Sequence, residues 1–132
     1  MTRHSRQNAR PKQDRQRAEK AGRRAELWVS LYLQLTGHQI LARRFKTPSG
    51  EIDLIARRGK TVIFVEVKQR KRAEHAVDPI TARSEERIIR AGEIFLSRHP
   101  TFVARAYALR YDLVIVSGRF HITHRRDVFR GW

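Results

Sequence analysis

Two acids and a lysine near the middle of the chain are the residues whose types and spacing could do chemistry. Asp53, Glu66 and Lys68 lie within GEIDLIARRGKTVIFVEVKQR, from Gly50 to Arg70. Glu51 to Arg57 alternates, so Ile52, Leu54 and Ala56 are expected on one face of a strand and Glu51, Asp53 and Ile55 on the other. Thr61 to Val67 is almost continuously apolar, with Val62, Ile63, Phe64 and Val65 all β-branched or aromatic. That run suits a central strand covered on both faces, and Glu66 interrupts it. With Arg58-Gly59 as a two-residue loop, Asp53 faces Phe64, Glu51 faces Glu66, and Lys68 points the same way as Glu66. Diagonal neighbours in a sheet are about 7–8 Å apart, close enough for two carboxylates to reach one ion between them. Left uncompensated on a covered face, such acids are costly or take up a proton.

Two compensations are open. Lys68 or an arginine closes a buried salt bridge, or a divalent cation sits between the carboxylates and Lys68 points at whatever the cation binds. Hard oxygen donors suit Mg²⁺ or Mn²⁺. A Lewis acid, an ionised water and a nearby ammonium are what phosphodiester hydrolysis needs. The hairpin pattern alone favours the salt bridge, but composition shifts the balance. The 132 residues carry 29 Lys plus Arg against 13 Asp plus Glu, a formal charge of +16 that calls for a polyanionic partner. No stretch approaches the roughly 20 apolar residues of a membrane-spanning helix, so nucleic acid is favoured over membrane. The absence of cysteine rules out a disulfide framework and a thiolate metal site, and fits a reducing compartment, with cytoplasm as the default.

Asp53 followed by Glu66-Val67-Lys68 after a hairpin resembles the PD-(D/E)xK signature of restriction-endonuclease-like nucleases, with Ile52 where the proline would stand. GRRAE at Gly22 to Glu26, GEIDLIA at Gly50 to Ala56, IFVEVK at Ile63 to Lys68 and RYDLV at Arg110 to Val114 resemble the YraN-type family of small bacterial proteins. The resemblance runs from about Ala18 nearly to the C-terminus. It implies a fold like that of Holliday junction resolvases and tRNA endonucleases, with the order α-β-β-β-α-β(-β). It also implies that Glu26, on the first core helix, approaches the metal; read from the sequence alone, Glu26 is a surface partner for Arg23 or Arg24. Asp112 matches the family's aspartate, and its expected role is structural, as a partner for an arginine. The family often has lysine and then glutamine near the start of the second helix, where this chain has Ser84 and Glu85.

The elements that must position these residues can be read along the chain. Met1 to Arg17 is arginine-rich and almost devoid of large apolar residues, so it reads as a disordered basic tail, a contact for phosphates or simply solvated. Residues 18–132 then form a single domain. A helix over Ala18 to Thr36 carries Ala21, Ala25, Trp28, Val29 and Tyr32 at helical spacing and stops at Gly37; Trp28 and Tyr32 are expected in the core rather than as base-stacking platforms. Gln39 to Phe45 is a first strand, and Gly50 closes the loop before the acids. Asp78-Pro79 reads as a helix start, with Ile88, Ala91, Gly92, Phe95 and Leu96 as its apolar stripe. Arg110 to Ser117 is a buried strand, and a shorter one runs from Arg119 to Thr123. His121 and His124, three apart on a strand, point to opposite faces, which disfavours a shared metal. Helix, three strands, helix and one or two strands give a mixed sheet with flanking helices, independently of the resemblance.

The function expected is metal-dependent endonucleolytic hydrolysis of phosphodiester bonds in DNA, with branched and single-stranded substrates both open, ahead of RNA. Asp53 and Glu66 bind Mg²⁺ or Mn²⁺, with Glu26 and Glu51 as further acids, and Lys68 orients the attacking water or stabilises developing charge. Arg43, Arg44, Arg57, Gln69, Arg70, Lys71 and Arg72 are the expected nucleic-acid contacts. Branched DNA would call for a symmetric homodimer. The alternatives are a non-catalytic nucleic-acid-binding module of the same fold and a basic protein associated with RNA or the ribosome.

Overall fold

The computed structural model describes residues 12–71 and 82–129. Helix α1 (Lys12–Leu35) leads into the antiparallel strands β1 (Gln39–Thr47), β2 (Gly50–Arg58) and β3 (Thr61–Arg70). Helix α2 (Ala82–Arg98) and the single turn α3 (Thr101–Ala104) return the chain to β4 (Ala108–Ser117), which runs parallel to β3. β5 (His121–Phe129) lies antiparallel to β4 at the far edge of a sheet ordered β1-β2-β3-β4-β5. This is the expected order and the expected mixed sheet.

Helix α1 begins at Lys12, ahead of the expected start at Ala18. Lys12, Gln13, Arg15, Gln16 and Arg17 are good helix formers, and Asp14 in the first turn complements the helix dipole. The apolar stripe marks where a helix packs, and here the helix runs on beyond that contact. At the other end Gly37 (φ 89°) stops it. The Gly37 N–H donates to the Gln34 carbonyl (3.1 Å) and the His38 N–H to the Leu33 carbonyl (2.9 Å), a Schellman closure. The Asp78-Pro79 helix start, Arg72, Trp132 and the first eleven residues of the expected tail lie outside the described residues.

The two faces of the sheet are covered by different helices. On one, Ala25, Val29 and Leu33 of α1 pack on Leu54, Ala56, Ile63, Val65, Val114 and Val116. On the other, Ile88, Ala91 and Phe95 of α2 pack on Ile52, Ile55, Val62, Phe64 and Tyr111. Val62 to Val65 are therefore buried from both sides, as the unbroken apolar run requires. Strict alternation fails at one place in β2. Ile52 joins Ile55 on the α2 side while Leu54 and Ala56 face α1, so Ile52 does not share a face with them as expected. The irregularity lies opposite Arg44, which adopts a positive φ of 49°. The residue placed at that irregularity is Asp53.

Candidate active site

The hairpin that carries the acids is built on a different turn from the expected one. Arg58 pairs with Thr61, so the two-residue loop is Gly59-Lys60, with Gly59 (φ 58°) at the first loop position, where a type II′ turn takes glycine. Every partner moves by two residues: Ile55, and not Asp53, faces Phe64. Because side chains alternate with a period of two, an even shift leaves them on the same face. The regular pairing ends at Leu54 and Val65. One step beyond that pair, Asp53 comes level with Glu66 in place of the expected Glu51. There the Asp53 Oδ2 takes over from the ladder and accepts the Val67 N–H at 2.8 Å.

Asp53 and Glu66 are thus brought together at the open end of the β2–β3 pairing. Burial pushes the Asp53 carboxyl from 3.8 up to about 7, helped by the Glu66 charge and opposed by the Val67 N–H. Burial raises Glu66 as well, against the pull of Lys68. The Lys68 ammonium lies 3.2 Å from Glu66 Oε1, on the α2 side of the sheet. Glu26, from α1, adds its charge to the same field. It pairs with Arg44 Nε at 2.9 Å, and not with Arg23 or Arg24. The positive φ of Arg44 and its ion pair with Glu26 occur at one residue.

Glu51 stands exposed between two openings. One, of about 390 Å³, is lined by Glu19, Arg23, Glu26, Arg44, Lys46 and Glu51. The other, of about 240 Å³, is lined by Glu51, Glu66, Ser84, Arg87 and Ile88. Ser84 and Arg87 bring the first turns of α2 to the acids, and Arg87 was not among the expected residues. Its position could have been found by following the helix one turn from Ser84, since residues three apart share a face. Gly50 explains how α2 comes so near. A Cβ there would collide with the Arg87 carbonyl, so the glycine serves helix-on-sheet packing. Among the described residues no three carboxylate or imidazole side chains already converge as a set of metal ligands.

The expected nucleic-acid contacts divide. Arg43 is exposed beside Glu26 and Arg44, in an opening of about 220 Å³. Arg57 sits at the turn end of β2, away from the acids, bonded to the Tyr107 hydroxyl (3.3 Å) and Gln39 Oε1 (3.2 Å). Gln69 points to the α1 side, opposite to Lys68, and lines a separate groove. Arg70 donates to the Gln69 carbonyl at 2.8 Å, and Lys71 is exposed.

Asp112 does have the structural role expected of it, but within a larger network. Arg110 grips it through Nε and Nη2, both at 2.8 Å, the Asp127 N–H donates at 3.0 Å, and His124 Nε2 lies 2.8 Å away. Tyr32 of α1 reaches His124 Nδ1 at 2.8 Å. Despite complete burial of its side chain, these partners hold the Asp112 carboxyl down at about 2. His124 is accordingly a locally bonded histidine.

The chain as a whole also resembles known sequences. The model of the family described as Uncharacterised protein family UPF0102 matches residues 25–116. A UPF0102 protein of Chelativorans is 44% identical over 115 residues, covering 87% of this chain and 91% of the relative. One from Mesorhizobium japonicum is 43% identical over 122 residues, covering 92% and 96%. One from Agrobacterium fabrum is 43% identical over 115 residues, covering 87% and 93%. No helix among the described residues is long and apolar enough to cross a membrane. With both the family model and relatives of nearly full length in agreement, the chain belongs to the UPF0102 family, the YraN-type group that its motifs resemble.

Proposed function

We propose that the chain is a metal-dependent phosphodiester hydrolase acting on nucleic acid, with DNA the preferred substrate over RNA. The observation that carries this reading is the Asp53–Glu66 pair. Two carboxyls with raised pKa lie side by side where the β2–β3 pairing ends, in a protein of formal charge +16. Buried oxygen donors that repel one another fit Mg²⁺ or Mn²⁺, because a divalent cation removes the repulsion and repays their desolvation. Asp53 and Glu66 would hold it, with Glu51 at the mouth of both openings and Glu26 free to join only after parting from Arg44. Such an ion supplies Lewis-acid polarisation of the scissile phosphate and a more acidic water.

The chain's own residues do the rest. Val67 N–H fixes the Asp53 carboxylate, leaving its second oxygen for the ion. Lys68, released from Glu66, is placed to hold the attacking water or a non-bridging phosphate oxygen. Arg87, reaching the same opening from α2, is the cation that stands in for the lysine often found at the start of this helix in the family. Arg43 extends the basic surface on the α1 side.

Labelled linear, flap and four-way-junction DNA, incubated with Mg²⁺, Mn²⁺ or chelator, test this directly. Metal-dependent cutting by the wild type, lost in Asp53→Ala, Glu66→Ala and Lys68→Ala, is the expected result. The Glu66–Lys68 and Glu26–Arg44 pairs favour a second reading, a binding module in which the acids are structural. On that reading all the proteins bind DNA with equal salt sensitivity and none cuts it. Equal cutting by wild type and variants would sink the site assignment.

A further inference from the structure

A groove of about 480 Å³ lies on the flank of α1 turned away from the acids, between that helix and the β4–β5 turn. Its size is within the range of small-ligand sites, about 300–1,000 Å³. Trp28 and Phe120 form its aromatic wall, Gln69 enters from β3, and Arg24 and Arg119 flank it. No acid lines this groove, in contrast to the openings that Glu51 shares.

Phe120 is 66% exposed, yet it is held in place. The Trp28 indole N–H donates to the Phe120 carbonyl at 3.1 Å, and the two rings meet edge to face at 5.2 Å. Gly118, at φ 59°, gives the turn the conformation that brings Phe120 back over the helix. An ordered, solvent-facing aromatic face between two guanidinium groups has the chemistry of a single-strand nucleic-acid subsite. The ring stacks on a base of any sequence and the arginines meet the backbone phosphates. Gln69, which enters this groove, follows Lys68 on β3, and the two side chains lie on opposite faces of the sheet.

We infer that this groove binds an unpaired nucleotide of a nucleic-acid strand, its base stacked on Phe120 beside Trp28 and its phosphate against Arg24 and Arg119. The inference rests on the nucleic-acid partner proposed above, but not on hydrolysis. It makes the preferred nucleic acid one with an unpaired segment.

Trp28 and Trp132 are the two tryptophans of the chain, so Trp132→Phe leaves Trp28 as the sole indole reporter. In that background the full-length protein is titrated, with chelator present, against oligothymidylate, blunt duplex DNA and a duplex with a thymidine overhang. Oligothymidylate and the overhang are expected to quench Trp28. Phe120→Ala should weaken their binding roughly 5- to 100-fold while leaving blunt-duplex affinity unchanged, and Phe120→Tyr should restore it. Because Phe120 is mostly exposed and gives up only its edge contact with Trp28, the variant's thermal melt should fall by no more than a few degrees. Duplex binding with no preference for unpaired strand, or an equal loss on all three DNAs in Phe120→Ala, overturns the groove while sparing the nucleic-acid partner. Absence of binding to any of the three overturns both.

Discussion

Replacing Asp53 with asparagine removes a charge from a place where the fold is strained by carrying it. The folded carboxyl titrates near 7 and an unstructured one near 3.8. Below about pH 4 both states are protonated and the group contributes nothing to stability. As pH rises the unfolded chain ionises first, so the folded state is progressively penalised, and the full penalty is reached once pH exceeds about 7. At about 1.4 kcal/mol per pH unit the interval is worth about 4 kcal/mol. Sharing of the burden with Glu66 and the partial exposure of Asp53 bring this to about 2 kcal/mol. Asp53→Asn should therefore be more stable than the wild type at pH 8 by that amount, a rise of roughly 6–10 °C in melting temperature, and indistinguishable from it at pH 4. The gain is largest if the asparagine oxygen still accepts the Val67 N–H. Melting of both proteins by circular dichroism from pH 4 to 8, with chelator and then with millimolar Mg²⁺, measures it. Mg²⁺ should raise the wild type selectively at pH 8, because only the wild type keeps the full pair of carboxylates. An asparagine variant less stable than the wild type at pH 8 without metal would refute the electrostatic account. An equal response of both proteins to Mg²⁺ would refute the assignment of the ion.

Asp112 behaves in the opposite sense. Its partners hold the folded pKa near 2, so its contribution is present above about pH 4 and is lost as pH falls towards 2. Asp112→Ala leaves Arg110 and His124 without their common acceptor and should cost about 3–5 kcal/mol in urea unfolding at pH 7. Gly50→Ala drives a methyl group into the Arg87 carbonyl and should cost at least about 1–3 kcal/mol, with α2 pushed off the sheet and cutting lost together with stability. Ala106 is exposed at φ 55°, so Ala106→Gly should stabilise by roughly 0.5–1 kcal/mol in the same unfolding assay without changing DNA binding.

What was legible in the sequence followed from periodicity and chemical type. The run from Val62 to Val65, β-branched or aromatic throughout, suited a strand covered on both sides, and Gly37 after an apolar helix suited a stop. The turn was misplaced by one position because a Gly can occupy either place in a two-residue loop, and Arg58-Gly59 and Gly59-Lys60 look alike without the strands beside them. That error moved the register by two and so left the acids on their face. A slip of one residue would have dispersed them. What could not be read was everything carried by sequence-distant contacts. Tyr32 and His124, like Trp28 and Phe120, are separated by 92 positions. No local pattern announces that one helix will hold both a buried polar network and an exposed aromatic platform. The break at Asp53 belongs to the same class. Alternation predicts an uninterrupted strand, and it is the positive φ of Arg44 on the neighbouring strand, tied by Glu26 to α1, that lies opposite the interruption. The candidate active site is therefore a local failure of the very regularity that identified its strands. A peptide N–H left over from the ladder, that of Val67, orients the carboxylate there, so the interrupted pairing supplies a hydrogen-bond donor at the place where the acid has to be fixed.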